Sequence, residues 1–216
     1  MLLGLLVAAP VALVYVDAHA PLDPSKPPHL LTPLQLGLLD LFPARCPEAL
    51  ARAEGIRFTP ALRPIVDGCG HPDGVSLTRS GVSYGGGVVL SCPAAVALVM
   101  WERHQLQSAA QKHFGRRVTS VRTFGTYACR NVYGRESARR SQHAYANAID
   151  IAGFTLEGGQ TVTVLRDWED SGVRGRFLRD VRDGACGTFR AVLSPDYNAA
   201  HADHFHFDMG MWRTCR

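Results

Sequence analysis

Apolar and polar residues alternate most sharply in two distant stretches of the chain. In Ala148-Ile149-Asp150-Ile151 and His204-Phe205-His206-Phe207, a large apolar side chain stands at every second position. A period of two is that of a half-buried strand. Ile149, Ile151, Phe205 and Phe207 are therefore expected to face a core, with Asp150, His204 and His206 on the opposite faces. Further strands are expected at 87–90, 118–124, 161–165 and 189–193, with Glu157-Gly158-Gly159 as a turn before the third. Elsewhere the spacing is helical. Ser91-Cys92-Pro93 opens a helix with Ser91 as cap, placing Val96, Val99, Met100 and Arg103 on one side. A second helical piece runs to Gly115, a short one spans 47–53 before Gly55, and a third over 174–181 turns Phe177, Leu178 and Val181 inward. Gly68-Cys69-Gly70 and Gly85-Gly86-Gly87 read as turns, and the rest of 34–70 carries little pattern. Helices followed by strands, with one helix inserted, predict an α+β domain with a small antiparallel sheet and flanking helices.

The N-terminus has a different character. Residues 1–16 carry no charged side chain and are mostly Leu, Val and Ala, and Ala18-His19-Ala20 supplies small residues at cleavage spacing. Residues 1–20 therefore read as a signal peptide or a retained membrane anchor, and 21–45, rich in proline, as a linker to a domain over 46–216. Export to the periplasm or cell envelope follows. A net charge of +4 gives no reason to expect nucleic acid as a partner.

Cysteine usage agrees with export. Cys46, Cys69, Cys92, Cys129, Cys186 and Cys215 are six in number and form no C-x-x-C pair, which suits three disulfides better than a structural zinc site. Six cysteines allow fifteen pairings. The simplest is sequential: Cys46–Cys69, Cys92–Cys129 and Cys186–Cys215.

The polar faces of the two alternating stretches carry the chemistry. With thiols committed elsewhere, zinc takes imidazole nitrogen and carboxylate oxygen, and a catalytic site keeps one position for water. His143, Asp150 and His206 could supply three ligands, which also explains an acid within so apolar a run.

At this point the chain resembles known families. Ser141-Gln142-His143-Ala144-Tyr145-Ala146-Asn147-Ala148-Ile149-Asp150 is similar to the S-x-H-x-x-G-x-A-x-D motif of zinc D,D-peptidases of the VanY/VanX type and of murein endopeptidases. His204-x-His206 resembles the H-x-H of the endopeptidase branch. Tyr127-Ala128-Cys129-Arg130, Ala152-Gly153-Phe154, Asp167-Trp168 and 195–201 look like the bacterial extensin-like C-terminal domain family. The resemblance covers roughly 46–216.

It implies zinc held by His143, Asp150 and His206, and a metal-activated water attacking an amide of peptidoglycan stem peptides or cross-links, as carboxypeptidase or endopeptidase. Asp203 or His204 would serve as base, and Arg130 would bind an oxyanion or a substrate carboxylate. Two departures stand out. Ala146 occupies the motif's glycine, and Asp203 stands three residues before the last ligand, where many relatives have glutamate. The alternatives are a zinc-stabilised wall-binding domain without turnover and a disulfide-held structural protein without metal. Among other residues, Ser141 is expected to orient its loop. Arg135, Arg139 and Arg140 are expected as a solvated loop, Trp168 and Tyr197 as core aromatics, and His104 and His113 as solvent-facing.

Overall fold

The computed structural model describes residues 22–216; the expected export segment, 1–20, lies outside them. Helix α1 (Thr32–Leu41), a 3-10 turn (Pro43–Arg45) and α2 (Cys46–Arg52) come first, followed by strands β1 (Arg57–Pro60), β2 (Arg63–Val66), β3 (Cys69–His71), β4 (Gly74–Arg79) and β5 (Val88–Ser91). Next come α3 (Cys92–Trp101), a π-helical turn (Glu102–Leu106) and α4 (Gln107–Phe114), which Gly115 ends in a left-handed conformation. The remainder comprises β6 (Val118–Gly125), β7 (Ala148–Leu156), β8 (Thr161–Thr163), α5 (Val164–Asp167), α6 (Val173–Ala185), β9 (Ala191–Leu193), β10 (Phe205–Asp208) and β11 (Thr214–Cys215).

The main sheet has the order β11-β9-β10-β7-β6, and β8 pairs with the far half of β7. Its pairs are antiparallel except β9 with β11, which run parallel. Phe205, Phe207, Ile149, Ile151 and Val192 are fully buried beneath it. Trp101 at the end of α3 sets its ring edge on Phe207 at 5.4 Å, and its indole N–H donates to Val181 O of α6 at 3.1 Å. Phe177 of α6 meets Phe154 of β7 at 5.4 Å, edge to face. Aromatic pairs of this geometry add about 0.5–1.5 kcal/mol each to simple burial.

The helix over 174–181 and its inward residues are borne out, since Phe177, Leu178 and Val181 are all inaccessible. Helix α3 differs from the amphipathic reading, because every residue from Cys92 to Trp101 is buried. It is a central helix, covered on its other sides by α1, α2 and the sheet β1-β4-β5. Ser91 precedes it but makes no side-chain cap; its hydroxyl donates instead to Asn147 Oδ1 at 2.7 Å.

The stretch 21–45 is more than a linker: ten of its residues form α1, with Leu36, Leu38 and Leu39 buried. Strand β8 stops at Thr163 rather than Leu165, because the Asp167 carboxylate accepts from Thr163 N–H at 2.7 Å and draws the chain into a helical turn.

Two disulfide assignments are corrected. The bridges are Cys46–Cys92, Cys69–Cys129 and Cys186–Cys215, so only the last follows the sequential scheme. Loop-closure entropy grows only logarithmically, by about 0.6 kcal/mol per doubling of loop length. Short separations therefore have little advantage, and packing decides. Cys46 and Cys92 open two adjacent helices, α2 and α3, which bring their Cα atoms to 5.9 Å. The Cys69–Cys129 bridge pins β3 to the loop leading into His143.

Candidate metal centre

One imidazole comes from a turn, the carboxylate from β7 and the second imidazole from β10. Ser141 Oγ accepts from His143 N–H at 3.4 Å and starts a 3-10 turn over Gln142–Tyr145. The turn ends at Ala146, whose φ of 51° is left-handed. That conformation costs an L-residue on the order of 1 kcal/mol, which accounts for glycine at this place in the motif. Asn147 then hands the chain into β7, donating to Gln142 Oε1 at 2.8 Å while its own Oδ1 holds Ser91.

In the sheet, His206 lies directly opposite Asp150. A facing pair in neighbouring strands projects to the same side with Cβ atoms about 5 Å apart. His206 Nδ1 is 2.9 Å from Asp150 Oδ1, and His143 Nε2 is 3.1 Å from Asp150 Oδ2 and 3.2 Å from His206 Nδ1. The sequence thus named three residues whose ligand atoms all converge within 4.8 Å, a group that could hold a metal ion.

Each imidazole is fixed from behind. His143 Nδ1 donates to Thr126 O at 3.1 Å, and His206 Nε2 meets Asp208 Oδ2 at 2.9 Å. Asp208 in turn accepts from Gly210 N–H at 2.7 Å. Neither Thr126 nor Asp208 was singled out from sequence. Asp208 had a legible signal, two residues after His206 on the same strand face, whereas Thr126 acts through its backbone and had none.

Burial alone would depress the His206 imidazole, but the Asp150 and Asp208 hydrogen bonds and charges outweigh it and push the group up to about 9. Burial likewise works to raise the Asp150 carboxyl, yet its bonds with His143 and His206 hold it well below the ordinary carboxylate range. His201, 7% exposed, is lowered to about 4, first by burial and then by the neighbouring His206 and His204, so it is neutral at pH 7. Its Nδ1 lies 2.8 Å from Asn198 Oδ1.

His204 and Asp203 are also brought to the site. Asp203 Oδ1 engages His204 Nδ1 at 2.8 Å, and His204 Nε2 points inward, 3.7 Å from Asp150 Oδ1. Arg130 lines the same cavity of about 360 Å³, together with Tyr133, Arg139 and Tyr197.

Several neighbouring expectations change. Arg139 and the half-exposed Tyr197 belong to the cavity wall, whereas Arg140 is structural, bonded to Asp67 O and Asn131 Oδ1. Trp168 is core, as expected, with its ring against Phe205. His104 and His113 are not free in solvent: they meet Pro24 O at 3.0 Å and Asp180 Oδ2 at 2.7 Å.

Fold and cluster together define a disulfide-held α+β domain with a His/Asp cluster that could hold a metal ion on one face of its sheet. The chain belongs to the family described as extensin-like protein C-terminus, whose model matches residues 44–216. Neither the curated proteins nor the solved structures include a match.

Proposed function

We propose that this protein is an exported zinc-dependent peptidase acting on peptidoglycan peptides, as a D,D-carboxypeptidase or endopeptidase. The convergence of His143 Nε2, the Asp150 carboxylate and His206 Nδ1 carries the reading. His143 Nδ1 donates to Thr126 O, which aims Nε2 at the Asp150 carboxylate 3.1 Å away. A divalent cation between this nitrogen and the carboxylate would be bound by both. The separations of 2.9–3.2 Å also approach the edge of a zinc tetrahedron, about 3.3 Å for ligand bonds near 2.0 Å. Carbonyl and carboxylate partners behind the two imidazoles are the usual support for such ligands. The likeness of 141–150 to the motif of zinc D,D-peptidases supplies the reaction class.

Zinc would supply Lewis acidity, acidifying water and polarising an amide carbonyl. The protein's part is orientation and proton transfer. Thr126 and Asp208 fix the ring positions of His143 and His206. His204, held by Asp203 through Nδ1, presents Nε2 toward the ligand set, takes the proton of the attacking water and returns it to the leaving amine. Asp203 is then a positioning residue, and the shorter side chain that sets it apart from glutamate in relatives is compensated by the interposed imidazole. Arg130 offers its planar guanidinium to a substrate carboxylate or the developing oxyanion.

Export places this chemistry in the periplasm or cell envelope, with the N-terminal segment as signal or tether; among the described residues, no helix is long and apolar enough to cross a membrane. The test is incubation of untagged, zinc-loaded protein with purified murein, followed by mass spectrometry of the muropeptides. New cleavage products support the proposal, and intact muropeptides with full zinc occupancy leave the wall-binding domain as the reading.

A further inference from the structure

The ligand set does not end its cavity. Beyond Arg139, Leu193, Tyr197 and Asp208, which line both spaces, a second cavity of about 250 Å³ continues to Met211, Trp212 and Thr214. Strand register explains the continuity. Leu193 lies opposite His206, and Thr214, Ala191, Asp208 and Ala148 face one another in a second row. The trough therefore crosses β7, β10, β9 and β11 on the face that carries the ligands. Three strand spacings of about 4.8 Å give a run of roughly 14 Å, the length of about four extended residues.

Its walls differ in character. Arg139 is exposed, and among the described residues no carboxylate lies within ion-pair distance of its guanidinium. At the far end Met211 and Trp212 are 86% and 71% exposed, an unusual position for two large apolar side chains side by side. Ala191 and Thr214 keep the floor low between them.

We infer that this second cavity is a subsite for the peptide arm of the substrate, an extended segment of about four residues that carries a carboxylate. Arg139 receives the carboxylate, and Trp212 and Met211 cover the apolar end. The run of about four extended residues and the exposed Arg139 guanidinium favour a peptide over the glycan, whose backbone has no comparable charge. The assignment rests on the peptidase reading for the identity of the substrate, yet it makes a separate statement about binding.

Trp212 reports on it directly, since Trp101 and Trp168 are buried. The full chain, with and without zinc, is titrated with a synthetic stem pentapeptide, with its C-terminal dipeptide and with the disaccharide free of peptide. The pentapeptide is expected to shift Trp212 emission and to bind at least tenfold tighter than the dipeptide. Arg139→Gln is expected to cut that ratio at least tenfold, and Trp212→Phe to abolish the emission change. Equal binding of the two peptides, an unchanged ratio in Arg139→Gln, or an emission shift with the disaccharide alone overturns the subsite. Binding that persists without any cleavage refutes the peptidase and leaves the subsite standing. Cleavage with no dependence on length or on Arg139 does the reverse.

Discussion

Two buried acids in this protein have opposite fates. Asp150 sits among imidazoles and is held well below the ordinary carboxylate range. Glu102, 1% exposed at the start of the π-helical turn, is pushed up to about 7, chiefly by burial. Its partners are the Tyr84 hydroxyl at 2.5 Å and Gly81 N–H at 3.1 Å, which clamp the loop between β4 and β5 onto the central helix. Burial of a carboxyl therefore does not mark chemistry by itself. The difference lies in the neighbours, because groups able to carry positive charge keep an anion ionised and available, whereas neutral donors leave it close to neutrality. A π-turn is often read as a functional sign, but here it serves a loop anchor.

The largest effect expected on the Asp150 side is kinetic. His204→Ala should lower muropeptide turnover by about 10²–10⁴-fold, the usual contribution of a positioned acid–base group, with zinc content unchanged; full activity in a steady-state assay would remove His204 from the proposal. Next comes Asp208→Asn, which weakens the support behind His206. Zinc competition titrations should show a loss of about 10–100-fold in affinity. Glu102→Gln should do neither.

Instead, Glu102→Gln should change how stability varies with pH. The folded value near 7 exceeds the unfolded value near 4.5. Between them the folded chain retains a proton that the unfolded chain has released. The stability given by the neutral acid is thus complete below about pH 4.5 and is lost as pH rises through 7, on the order of 3 kcal/mol in all. Urea denaturation from pH 4.5 to 8 should show this fall in the wild type relative to Glu102→Gln, and parallel curves would contradict the assigned environment.

The smallest effect concerns the approach to the centre. Ala146→Gly relieves a left-handed residue but removes a buried methyl group, so stability should move by no more than about 1 kcal/mol and zinc affinity should hold, as thermal denaturation with and without the metal would show.

Much of the candidate ligand set was legible because it lies on strands. Ile149 and Ile151 flanking Asp150, with Phe205 and Phe207 flanking His206, declare two faces, and the cores they predict are the ones observed. What was not legible depends on contacts between distant segments. Cys46 pairs with Cys92 because two helices pack together, a fact with no local trace. Strands β1 and β2 are almost entirely exposed, so no period of two reveals them. Glu102 looked like any charged helix residue, since its burial is created by a loop some twenty positions earlier. The contact between Asp203 and His204 also needed coordinates, because spacing alone could not show that one side chain holds the other.

The most direct test of the centre is zinc binding by protein purified without an affinity tag, measured by calorimetry on the wild type and on Asp150→Asn. One zinc per chain in the wild type, with affinity at least about 100-fold weaker in the variant, is the predicted result, since removing a ligand should exceed the 10–100-fold loss typical of its supporting partners. An absence of zinc binding by the wild type, or equal binding by both proteins, would contradict it.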